Sequence, residues 1–143
     1  MPLVKDLMAK DVVTVDLNAT IFDSAVLMSE KKIGSLVVLD GKTPIGIVTE
    51  RDFVRRVIAQ KIPLDTKIGE IMSKPLITIE PNSSLREAAR LMIKNDIRRL
   101  PVIMENELVG MLVVSDFARQ LSKKSITEEI LEAMARYPYN PQY

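Results

Sequence analysis

The sequence predicts an α/β (α+β) protein built from two copies of one β-α-β-β-α unit. Three observations carry this. Sliding the chain by 64 residues aligns residues 4–56 with residues 68–120 without a gap. Within each copy, short β-branched runs alternate with apolar stripes of helical period. Each copy closes on a seven-residue stretch, Gly46-Ile-Val-Thr-Glu-Arg-Asp52 and Gly110-Met-Leu-Val-Val-Ser-Asp116, that runs from a glycine through a strand into a helix start carrying an aspartate. Repetition of a strand, a helix start and a carboxylate suggests a repeated binding site.

In chain order, Val12-Val13-Thr14-Val15 reads as a strand, and Asp16-Leu17-Asn18 as the turn after it. Thr20 opens a helix whose Ile21, Ala25 and Met28 share one face. In the second copy Ser84-Leu-Arg-Glu87 is a capping-box sequence, and Leu85, Ala89 and Met92 repeat the stripe. Core packing is the plain role for these residues. Ser35–Leu39 is apolar on successive positions, so a strand buried on both faces is expected. Asp40-Gly41 signals a hairpin, and Glu105-Asn106-Glu107 signals the same turn more weakly. Strand 45–48 then leads into a helix over residues 50–60, with Phe53, Val54 and Val57 buried, and Phe117, Ala118 and Leu121 in the second copy. Pro63 stops that helix.

One copy alone would expose too much apolar surface, so two copies packed sheet to sheet about a pseudo-twofold axis are expected. The division is 1–62, 63–124 and a C-terminal segment 125–143. In the last, Thr127-Glu-Glu-Ile130 reads as a helix start, with Ile130, Leu131 and Met134 free to dock on the domain or a second subunit. The tail after Pro138 holds all three tyrosines of the chain, at 137, 139 and 143; no physical account of it emerges.

The composition narrows the chemistry. There is no Cys and no His, which removes thiol nucleophiles, Ser-His-Asp hydrolysis and Cys/His metal sites. No phosphate loop of the G-x-x-x-x-G-K-[ST] type is present, and Asp52 and Asp116 sit in equivalent places in different copies. The sequence therefore predicts no enzyme. Net charge is +1, so no global field draws the chain to nucleic acid or membrane. Arg51, Arg55, Arg56, Arg98, Arg99, Arg119, Lys123 and Lys124 offer a local basic patch, but stacking aromatics are few, and nucleic-acid binding is the lesser alternative. No apolar run matches a membrane helix. The charged N-terminus lacks a signal-peptide pattern, and the expectation is a cytoplasmic protein.

The element order and the paired glycine-to-aspartate stretches resemble the cystathionine-β-synthase (CBS) domain, whose motif is glycine, two apolar residues, Thr or Ser, two variable residues and Asp. The first copy matches in full; the second has Val113 at the hydroxyl position. Arg99-Leu-Pro-Val102 also resembles the family's second-strand signature, with Ser35-Leu-Val-Val38 in the first copy. The resemblance covers residues 3–122 and implies a tandem pair, a stand-alone Bateman module. Such modules bind adenosine nucleotides (AMP, ADP, ATP) or S-adenosylmethionine in two shared clefts, hold no covalent cofactor, often form homodimers, and regulate a partner enzyme or transporter. By resemblance one cleft combines Thr49 and Asp52 with Leu76, Ile77, Ile97, Arg98 and Arg99. The other combines Asp116 with Val12, Val13, Ile33, Gly34 and Ser35, with Arg99 as a further candidate.

These residue types suit a nucleotide. A carboxylate accepts from the two neighbouring ribose hydroxyls, apolar walls flank adenine, and Arg98-Arg99 and the helix start at Thr49 favour phosphate. Plain alternatives stand beside this. Thr49 and Asp52 also form a T-x-x-D cap, and Arg98-Arg99 also suit a solvated helix end. In the second copy Val113 has no capping hydroxyl and Ser115 is the expected N-cap, so Asp116 reads as a ribose ligand rather than a cap. The clefts should differ, the Asp52 cleft preferring phosphorylated ligands and the Asp116 cleft a less charged one.

Overall fold

The computed structural model describes residues 2–121 and 128–136. Among these the chain forms two compact units. One is Val12–Ile77; the other joins Pro2–Asp11 to the described residues from Thr78 onward. The sequence period runs 64 residues, but each unit in space takes its lead-in segment from elsewhere in the chain. The first unit uses the stretch after its last helix; the second uses the chain's first residues.

In the first unit the order is β1 (Thr14–Asp16), α2 (Ile21–Lys31), β2 (Ser35–Asp40), β3 (Thr43–Thr49), α3 (Glu50–Asp52) continuing as a π-helix Phe53–Ile58, and a 3-10 turn Ile68–Glu70. The sheet order is β1-β2-β3, with β1 parallel and β3 antiparallel to β2. Thr20 caps α2: its Oγ1 accepts the Asp23 N–H at 3.0 Å. Leu36, Val37 and Val38 are all fully buried, as the unbroken apolar run predicts. They join Ile21, Met28, Val48, Val57, Ile68 and Ile71 in the buried interior of this unit.

The second unit repeats the pattern with α1 (Val4–Leu7) as its lead-in. Then come α4 (Leu85–Asn95), β4 (Arg99–Met104), β5 (Glu107–Val113), α5 (Asp116–Leu121) and α6 (Glu128–Ala135). The Ser84 Oγ accepts the Glu87 N–H at 3.1 Å. Leu85, Ala88, Ala89 and Met92 of α4 are buried with Leu100, Val102, Leu112 and Phe117. Val4 docks here through its N–H to the Ser83 carbonyl at 2.9 Å, and Lys5 through its N–H to the Pro81 carbonyl at 3.0 Å. α6 packs on α4, burying Ile130 and Ala133.

Several expectations are corrected. The first strand of the second copy shrinks to a single parallel bridge, Ile79 with Val102, because Pro75 and Pro81 flank a run too short to extend the ladder. The helix after β3 ends at Ile58 rather than residue 60, where Lys61 turns to φ 56. Val54 and Ala118 are exposed, not buried. The π-helix passes its backbone bonds from residue i to i+5, as in Ala59 N–H to the Val54 carbonyl at 3.0 Å. That wider turn keeps Phe53 and Val57 inward and throws Val54 outward. Of the C-terminal stripe, Ile130 is buried but Leu131 is exposed. The helix start at Thr127, Lys123, Lys124 and the tyrosine-rich tail lie outside the described residues. No helix among the described residues is long and apolar enough to cross a membrane.

Candidate functional site

Each unit brings its helix end, its strand pair and its aspartate to one place by the same local rules. α2 closes with Lys32 in the left-handed region at φ 55. The Ile33 N–H reaches the Met28 carbonyl at 3.1 Å and the Lys32 N–H the Ser29 carbonyl at 3.3 Å, which is a Schellman motif. α4 ends identically, with Asp96 at φ 53, Ile97 N–H to the Met92 carbonyl at 3.1 Å and Asp96 N–H to the Ile93 carbonyl at 3.3 Å. These turns fix where Ile33-Gly34-Ser35 and Ile97-Arg98-Arg99 enter the sheet. The Gly34 carbonyl then accepts the Glu50 N–H at 3.1 Å, and the Arg98 carbonyl the Val114 N–H at 2.9 Å. Ser35 pairs with Thr49 and Arg99 with Val113 across the hairpins. So Gly34, Ser35, Thr49 and Asp52 share one corner of the first unit, and Arg98, Arg99, Val113 and Asp116 share the matching corner of the second.

The motif glycines serve close approach. A side chain at Gly46 would place its Cβ 2.5 Å from the Met72 Sδ and 2.9 Å from the Ser73 carbonyl. At Gly110 the same atom would lie 2.5 Å from the Met8 Sδ and 2.8 Å from the Ala9 carbonyl. The crossing segments are tied down by bridges, Ile47 with Ser73 and Ala9 with Met111. The repeat alignment pairs Met8 with Met72, but their role against the glycines was not read from the sequence, since contact at long separation leaves no periodic signal.

The Asp52 side chain is 12% exposed. Its Oδ2 accepts the Thr49 N–H at 2.9 Å and the Thr49 hydroxyl at 3.3 Å. Its Oδ1 faces the Arg56 Nε at 3.5 Å. A carboxylate offers about four acceptor positions, so Asp52 keeps capacity on Oδ1, and a ligand hydroxyl can take the place of the long Thr49 contact. Asp116 Oδ2 accepts the Val113 N–H at 2.8 Å. This corrects the sequence reading of the second copy: loss of the hydroxyl at 113 does not release Asp116 from capping, because the bond uses a backbone N–H present whatever the side chain. Asp52 closes a capping box and Asp116 makes the matching bond to the backbone, so ribose binding would be an added use of both.

The remaining expected residues divide by unit. Val12 and Val13 lead into β1, half-buried, with the Val13 carbonyl accepting the Val37 N–H at 3.4 Å. Leu76 and Ile77 lie half-buried in the extended stretch at the end of the same unit. Arg98 is exposed and Arg99 half-buried. Among the described residues no group of three or more His, Cys, Asp and Glu is placed to hold a metal.

Comparison with known proteins follows the same division. The CBS domain model matches the chain twice, over residues 4–59 and 68–123. The CBS domain-containing protein YhcV of Bacillus subtilis is 39% identical over 126 residues, which is 87% of this chain and 90% of that protein. A crystal structure of the CBS domain pair of protein MJ0100, in complex with 5′-methylthioadenosine and S-adenosyl-L-methionine, is similar with TM-score 0.78 and 28% identity, over 87% of this chain and 99% of that one. The hexameric CBS-CP12 protein from bloom-forming cyanobacteria gives TM-score 0.79 and 34% identity, over 92% of this chain and 75% of that one.

Proposed function

Since the chain belongs to the CBS domain family, with two CBS repeats in tandem, we propose that it is a non-catalytic cytoplasmic regulator. It binds an adenosine-containing ligand, AMP, ADP or ATP, at Asp52 and Asp116 and reports the binding state to a partner enzyme or transporter. The observation that carries this reading is the Asp52 carboxylate: nearly buried, anchored at one oxygen by the Thr49 N–H at 2.9 Å, and with acceptor capacity left on the other. Such a group is preorganised for a vicinal diol, because its orientation needs no ordering on binding.

The two corners differ in charge. Arginines stand at 98 and 99 where the first copy has Gly34 and Ser35. The corner with Ile97, Arg98 and Arg99 takes the phosphorylated ligand, and the corner with Ile33, Gly34 and Ser35 a less charged one. Leu76 and Ile77, in the unit of Thr49 and Asp52, supply an adenine wall. S-adenosylmethionine is the second reading, favoured by the ligands named for the MJ0100 pair.

Calorimetric titration with AMP, ATP and S-adenosylmethionine tests this. Asp52→Ala should abolish one AMP site and Asp116→Ala the other, each lowering ligand-free stability by about 1 kcal/mol through loss of its bond to the backbone. Undiminished binding by both variants would reject the ribose role.

Self-association is part of the same reading. Phe22 and Val26 on α2, and Val54 and Ile58 on the π-helix, are exposed apolar residues; the 64-residue register gives Arg86, Arg90, Ala118 and Ser122 at those positions in the second copy. Asp23 and Glu30 on α2 and Arg51 and Arg55 beyond β3 are exposed around this face. Both elements carry charges of both signs, Lys31 beside Glu30 and Glu50 beside Arg51, so this apolar face with its mixed-charge rim suits a second copy about a twofold axis.

A further inference from the structure

We propose that Arg56 is the positioning residue for the ligand of Asp52, an inference that rests on the ribose role assigned to Asp52 above. The Arg56 guanidinium is a rigid planar fork, and it reaches two places at once. Its Nε faces the Asp52 Oδ1 at 3.5 Å. Its Nη1 donates to the Ile71 carbonyl at 3.1 Å and the Met72 carbonyl at 3.3 Å. The Thr49 N–H holds only Oδ2 of the carboxylate, and one anchored oxygen leaves the other free to swing about it. Arg56 supplies the second anchor and fixes the carboxylate plane. It also joins that carboxylate to the stretch that crosses β3 at Gly46 and runs on to Leu76 and Ile77.

Arg56 therefore sets, in one side chain, the spacing between the ribose acceptor and the stretch assigned to the adenine wall. The ion pair by itself adds little to stability, since the Arg56 side chain is 49% exposed and such pairs are screened; the two carbonyl contacts add the rest. The register places Gln120 at this position in the second copy, so the device belongs to the first motif, alongside Thr49.

Titration of AMP, ATP and S-adenosylmethionine into the full chain and its Arg56→Gln, Arg56→Lys, Asp52→Asn and Asp52→Asn/Arg56→Gln variants tests the proposal. Arg56→Gln should bind the best probe about tenfold more weakly, the loss of the contact to Oδ1, with its melting temperature lowered by only a few degrees through the two carbonyl contacts. Arg56→Lys should recover part of the affinity, since an ammonium can approach Oδ1 but cannot fork to the two carbonyls. In the Asp52→Asn background the Arg56 change should cost almost nothing further, because coupled residues are not additive. Wild-type affinity in Arg56→Gln, or losses that multiply independently in the double variant, would overturn the proposal. Failure of the unmodified protein to bind any probe would instead remove the ribose reading, and this inference with it.

Discussion

At the scale of single residues, Asp52 and Asp116 show how a side chain can hold a structural duty and leave room for another. The spacing from Thr49 to Asp52 was legible as a cap, and the structure bears that out with a bond of 2.9 Å. The second copy misled, because the sequence displays the missing hydroxyl of Val113 and hides the backbone N–H that Asp116 uses instead. The glycines hid more. Gly46 is fixed by Met72 and Ser73 packed against it. Gly46→Ala should therefore lower stability by about 2–3 kcal/mol, since the Ser73 carbonyl cannot yield as a flexible side chain would. Urea denaturation measures this, and a midpoint equal to the parent's would show that the crossing stretch moves freely.

At the scale of elements, the strands and helices around the hydrophobic stripes were read correctly, and the departures have local causes. Both hairpins slip register at matching points, Val38/Leu39 and Val102/Ile103, next to the glycines. The turns nevertheless differ. Gly41 alone takes positive φ in the first, whereas Glu105 at φ 51 and Asn106 at φ 66 both do so in the second, the pattern of a type I′ turn. Glu105 gave little sign of it, because glutamate seldom adopts that conformation, whereas Asn106 is a common residue there. The π-helix was also invisible in the sequence, since a single shift from four to five residues per bond leaves the apolar spacing of Phe53 and Val57 intact. Its effect is to turn Val54 and Ile58 outward, with Ile58 69% exposed. Charge placed on that face should break the proposed self-association while leaving the fold unchanged. Ile58→Glu should run as a monomer in light scattering after gel filtration, with an unaltered circular dichroism spectrum. A dimer persisting in this variant would place the interface elsewhere.

At the scale of the whole molecule, the twofold repetition was the most legible feature, because 64-residue register survives where individual strands do not. The two CBS repeats, their α/β class and their motifs followed from it. Which residues complete each unit did not, because lead-in segments contribute few apolar positions and no period. Val4 and Leu7 are buried in the unit that otherwise begins at Thr78, and burying side chains of this size contributes about 1.5–3 kcal/mol each. Deleting residues 2–9 should thus destabilise the second unit selectively. Amide exchange should quicken across residues 79–113 and stay near parental rates across 14–58; uniform quickening would mean the two units open as one. The same arrangement orders events during biosynthesis. Val4 and Leu7 leave the ribosome long before their partner, the Met111 strand, has been translated. Val12–Ile77 can close on itself in the interval, so a segment made ahead of the first unit must wait for the second.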